Sequence, residues 1–63
     1  MTTIVLAHPS DRWPRFRVFG VYDGEDDRFV FGVRDFDERE KAERCARRMM
    51  EFHQADHFER SVR

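Results

Sequence analysis

Two stretches of period-two alternation, set on either side of a short acidic turn, constrain this chain more than any other feature. Arg15 to Tyr22 alternates, Arg28 to Val33 alternates again, and Asp23-Gly24-Glu25-Asp26-Asp27 lies between them. Side chains of a strand point to opposite faces at successive residues, so two such runs joined by a polar, Gly-containing turn specify an antiparallel hairpin with sorted faces. Phe16, Val18, Gly20 and Tyr22 share one face with Phe29, Phe31 and Val33. Either register that keeps these faces together sets an aromatic, Phe29 or Phe31, across from Gly20, where the missing side chain leaves room for a ring. The opposite face carries Arg15, Arg17, Phe19 and Val21 beside Arg28, Val30 and Arg34.

The remaining segments are matched to that hairpin. Ile4-Val5-Leu6-Ala7 is a short apolar run stopped by His8-Pro9-Ser10-Asp11, which predicts a strand over about 4–7. Asp37 stands three residues before Glu40, the spacing of a capping box, and acids in a first turn suit the helix dipole. Ala42, Cys45, Ala46, Met49 and Phe52 then recur at helical spacing. A helix over about 37–53 follows, with Glu40–Arg44 and a Glu43–Arg47–Glu51 ladder on its solvent side. The expectation is an α+β fold of order β-β-β-α: a three-stranded antiparallel sheet, one helix across one face, and a tail to residue 63. With 63 residues this is a single domain over 1–63, and such a chain buries only about 60% of the surface it exposes unfolded. Seven Phe, one Trp and one Tyr compensate for that size.

Charge limits the classes of partner. Twelve Lys and Arg oppose thirteen Asp and Glu, a net charge of −1, so no global field draws the protein to nucleic acid or anionic lipid. The four acids of the hairpin turn sit together while Arg15, Arg17 and Arg34 lie outside it, which predicts separate acidic and basic surfaces. All the bases except Lys41 are Arg and there is no Asn, a composition that a GC-rich genome favours and that also supplies forked donors. The one cysteine, Cys45, forms no intrachain disulfide and fits a reducing compartment. The apolar run of four near the N-terminus is too short for an anchor or a secretory signal, so the expectation is a cytoplasmic protein without membrane contact.

Nothing in the sequence assembles catalytic machinery. His53 and His57 are four apart, but His53-Gln54-Ala55-Asp56-His57 lacks the Glu that follows the first His in zinc-protease helices. Solvated or capping histidines near a helix C-terminus are the expectation, with no metal. Cys45 lies in the apolar stripe and reads as a small core hydrophobe. No serine sits in a nucleophilic setting, no Gly-rich phosphate loop exists, and no cofactor is expected. The protein reads as a non-catalytic binding protein whose contact residues are Arg15, Arg17, Phe19 and Arg34 on the outer sheet face and Asp23, Glu25, Asp26 and Asp27 at the turn. Arg and aromatic residues dominate interaction hot spots.

The passage Phe36-Asp37-Glu38-Arg39-Glu40-Lys41-Ala42-Glu43-Arg44 resembles the strand-to-helix passage of AP2-type and arm-type integrase DNA-binding domains, within a match over roughly 13–52. The resemblance implies a three-stranded sheet on one helix, reading DNA with Arg15, Arg17, Arg28 and Arg34 and with Phe19 or Trp13 as the aromatic. The acidic turn departs from that pattern, because clustered carboxylates repel phosphates at the tip that would enter a groove. A protein partner is therefore the first expectation and duplex DNA the second, with a homodimer through the Phe19 face or an open strand edge as a further one. By class analogy alone, the design matches compact inhibitors from phages and mobile elements, anti-CRISPR proteins and DNA mimics among them.

Overall fold

The computed structural model describes residues 1–61. Five elements follow in chain order: β1 (Thr2–Ala7), β2 (Phe16–Asp23), β3 (Arg28–Phe36), α1 (Arg39–Phe52) and β4 (His57–Ser61). They form a small α+β unit with a four-stranded mixed sheet in the order β3-β2-β1-β4. β1 is antiparallel to β2, β2 to β3, and β4 runs parallel to β1. The expected three antiparallel strands are present, but the tail beyond the helix is a fourth strand rather than an appendage. Its sequence, His57-Phe58-Glu59-Arg60-Ser61, holds one apolar residue and lies wholly at an exposed edge, so no hydrophobic alternation announces it. Backbone pairing with β1 forms it, aided by Asp56, whose N–H donates to the Thr2 carbonyl at 2.8 Å while its carboxylate accepts from the Thr2 N–H at 2.9 Å. This fourth strand also separates the fold from the three-stranded AP2-type plan. The last two residues of the expected tail lie outside the described residues.

The hairpin is the element read best from sequence. Val21 faces Val30, Tyr22 faces Phe29, and Gly20 faces Phe31. A Cβ at Gly20 would stand well inside van der Waals contact of Phe31 Cζ, so the glycine is the socket for that aromatic. Past this point the pairing shifts. Val18 faces Arg34, so three residues of β3 span what two steps of β2 cover, and Phe19 lies against the bulge. Gly32 absorbs the irregularity with φ of +62°. The left-handed glycine is thus in the strand, not in the acidic turn where Gly24 stands. A bulge reverses the facing of everything that follows it. Arg34 and Phe36 therefore join the helix side, and Val33, 46% exposed, leaves it.

Helix α1 begins one residue later than the capping-box spacing predicts. Glu38, not Asp37, is the extended N-cap residue, and no side chain caps the first turn. Lys41 holds both acids instead, at 3.5 Å from Asp37 and 3.3 Å from Glu38. The helix ends at Phe52 through a Schellman closure: Ala55 N–H bonds the Met50 carbonyl at 3.0 Å and Gln54 N–H the Glu51 carbonyl at 3.2 Å. Gln54 occupies the left-handed position at φ 49°, where a glycine is the usual signal. The termination was therefore silent in the sequence.

The core sits between α1 and the two central strands. Ile4, Leu6 and Val18 are fully buried against Ala42 and Ala46, whose small side chains bring the helix close. Phe16, Phe31, Phe36, Met49 and Met50 ring this centre, and Cys45 is half-buried with them rather than sealed. The helix packs mainly on β1 and β2 and less on β3, so the β3 flank stays open beside it. On the other flank, Arg60 of β4 forms a two-pronged ion pair with Glu43, with Nη2 to Oε1 at 2.7 Å. Glu43 therefore serves the sheet and not the expected ladder with Arg47, whereas Glu40–Arg44 pairs at 3.2 Å as the spacing predicts.

Candidate functional site: the open sheet face

Among the described residues, no element lies over the face turned away from α1. Its centre is Val5 of β1, directly across from Phe19 of β2 on one side and Glu59 of β4 on the other. Val5 is only 8% exposed although no helix covers it, because the neighbouring side chains of the same face close around it. Phe19 and Val21 are half-buried, and Val30 is 58% exposed. Together they make an apolar strip across three strands, with Thr3 and Ala7 alternating onto the same side.

A rim of polar and aromatic groups borders the strip at the β1–β2 loop end. Ser10 and Trp13 exchange backbone hydrogen bonds at 2.8 and 3.2 Å, a tight loop that returns Trp13 over the sheet. The Arg17 guanidinium lies 4.4 Å from the Trp13 ring centroid, a cation–π stack. Arg17 Nε also donates to Asp35 Oδ1 at 2.8 Å, across the β2–β3 ladder where these residues are direct partners. The hydrogen bond from Arg17 holds the Asp35 carboxyl below the usual carboxylate range against a desolvation cost, with Trp13 and Arg15 adding to it. Reciprocally, the bond to Asp35 raises the Arg17 guanidinium further above its ordinary value.

The structure thus brings Arg17 and Phe19 together, with Arg15 exposed just before β2 on the Asp35 side. It does not bring Arg34 there. The bulge turns Arg34 to the helix side, beside Phe36, Lys41 and Cys45, so the expected arginine array is not assembled on one face. Arg28 lies at the hairpin end across from Asp23, and Asp23, Glu25, Asp26 and Asp27 form an exposed group at that same end. The turn is fixed by Gly24 N–H to the Asp27 carbonyl at 2.8 Å, and by the N-terminal ammonium to the Asp23 carbonyl at 2.7 Å.

Comparison of the chain with protein-family models, curated proteins and solved structures finds no match. The site is therefore read from its own geometry.

Sequence reasoning missed three participants: Val5, Asp35 and the placement of Trp13. Val5 lies in a run that is apolar on both faces, so alternation does not separate its side from that of Ile4 and Leu6. Asp35 was hidden by the bulge, since strict alternation from Phe31 puts it on the wrong side. His53 and His57 do not share a helix face, because α1 stops before the first and β4 contains the second. His53 packs instead against Phe31 and Phe52, at 4.7 and 4.9 Å between ring centroids. Among the described residues no three His, Cys, Asp or Glu side chains group as metal ligands, and no helix is long and apolar enough to cross a membrane.

Proposed function

We propose that this protein is a non-catalytic binding module that docks on a protein partner through its open sheet face. The observation that carries the reading is the apolar strip of Val5, Phe19, Val21 and Val30, which no helix or strand among the described residues covers and whose outermost member, Val30, is 58% exposed. The rim supports a protein rather than a phosphate backbone. Arg17 is already committed to Asp35, Arg34 points elsewhere, and Glu59 lies beside Val5. Such a face offers apolar area with internally balanced charge, and Trp13 stacked on Arg17 supplies an anchor of the type that dominates interaction energy. The mechanism is occlusion of the partner's surface, the mode of a compact inhibitor of the phage or mobile-element kind.

The DNA reading of the AP2-type resemblance is the alternative, and one measurement separates them. A mobility shift with duplex DNA at low salt compares wild type with the Arg15→Glu/Arg17→Glu variant. No shift at micromolar protein is expected. Salt-sensitive binding abolished by the two substitutions overturns the protein-partner reading. In the native host, a photo-crosslinker at position 30 should capture one discrete protein, competed by unlabelled wild type and lost on Phe19→Glu. The same crosslinker at position 47 should capture none.

A further inference from the structure

On the helix side, a trench runs between β3 and α1 because the helix sits over β1 and β2 and leaves β3 partly uncovered. Its character changes in order along its length. Just past its hairpin end stands the exposed acidic turn of Asp23, Glu25, Asp26 and Asp27, with Arg28 across from Asp23. Next comes an aromatic stretch: Tyr22 and Phe29 at 5.2 Å, Phe29 and Phe31 at 6.1 Å, then His53 and Phe52, the last 83% exposed. Beyond it the trench is basic, with Arg34 from β3 and Arg44 and Arg48 from α1 around Phe36 and Cys45. Among the described residues Arg34 and Arg48 form no ion pair, and neither does any carboxylate of the turn.

A surface graded acidic, apolar, basic along one line is complementary to itself when a second copy lies antiparallel to it. A two-fold axis through the aromatic stretch sets each acidic turn on the other copy's Arg34 and Arg48 and packs aromatic on aromatic. We propose that this trench is the interface of a two-fold homodimer, each copy occupying the other's trench with its acidic hairpin tip. The dimer leaves both open sheet faces outward, so it is independent of the partner site and would present that site twice.

Sedimentation velocity across a concentration series at low and high salt tests this. The expected result is a monomer–dimer equilibrium weakened by salt. The Arg34→Glu/Arg48→Glu variant and the Asp26→Lys/Asp27→Lys variant should each dimerise roughly 10-fold more weakly or worse. An equimolar mixture of the two variants should recover part of the lost association, since one basic–acidic contact is then replaced by its reverse. Unchanged circular dichroism spectra in both variants exclude unfolding as the cause. Val30→Glu, on the open face, should leave the dimer intact. A wild type that stays monomeric at low salt overturns the proposal. So does a dimer indifferent to both charge reversals, or one abolished by Val30→Glu. Monomers that bind a poly-glutamate peptide through Arg34 and Arg48 would instead assign the trench to an acidic partner.

Discussion

The two faces of the sheet share the same strands and differ in what covers them. On the covered face Ile4, Leu6 and Val18 meet Ala42 and Ala46 with essentially no exposure. On the open face Val5 alone reaches near-complete burial, and Val30, on the outer strand, is more than half exposed. Both faces draw on the same β-branched and aromatic residue types, so composition does not distinguish them. What distinguishes them is where the helix lands, and that is set by Ala42 and Ala46, the two positions on α1 small enough to admit the sheet. In a chain of this size one face carries the fold, and among the described residues no element covers the other.

That contrast can be broken most forcefully at Leu6. Leu6→Ala opens a void against Ala42, Ala46 and Val18 and should cost about 2–5 kcal/mol, read from the urea midpoint. A loss near zero would mean the helix does not define the core. Gly20→Ala is the next test, because its Cβ overlaps the Phe31 ring; a cost of about 1–3 kcal/mol is expected, with part recovered in a Phe31→Leu background.

A smaller effect belongs to the flank where β4 meets the helix. Arg60 lowers the Glu43 carboxyl below its ordinary value, so its contribution is fully present above the unfolded value of about 4.3 and is lost as pH falls through the lower folded value. Wild type should therefore exceed Glu43→Gln in stability at neutral pH, and the gap should close in acid. A gap independent of pH would show that packing, not the ion pair, joins β4 to α1. Smallest of all, Val30→Thr on the open face should change stability by no more than about 0.5 kcal/mol while weakening partner capture. If instead it destabilises as Leu6→Ala does, the open face belongs to the core and the distinction collapses.

The hairpin, its acidic turn, an aromatic over Gly20 and the helix were legible because each rests on local periodicity. Alternation left Phe29 and Phe31 as alternatives over Gly20 and the register selects Phe31, while small residues at Ala42 and Ala46 marked the side of the helix that approaches the sheet. What escaped was non-local or irregular. β4 exists because β1 offers it a backbone edge, and His57 to Ser61 contain no pattern of their own. The bulge at Gly32 inverted the facing of Arg34, Asp35 and Phe36, which moved one expected contact residue off the open face and put Asp35 on it. Gln54 ended the helix from a left-handed position that sequence reserves for glycine or asparagine. Of the contact residues expected on the outer sheet face, Arg17 and Phe19 lie there and Arg34 does not.

The left-handed Gly32 also bears on the exposed edge that β3 presents. Phe29-Val30-Phe31-Gly32-Val33 is an uncharged, strand-favouring window on an edge of the sheet, the kind of segment that templates cross-β stacking. A left-handed residue within it spoils the flat, in-register ribbon that fibril growth requires, and Arg28 and Arg34 bracket it as charged gatekeepers. Straightening the strand with a β-branched residue at position 32 would tidy the ladder and, by the same act, turn a guarded edge into a seed.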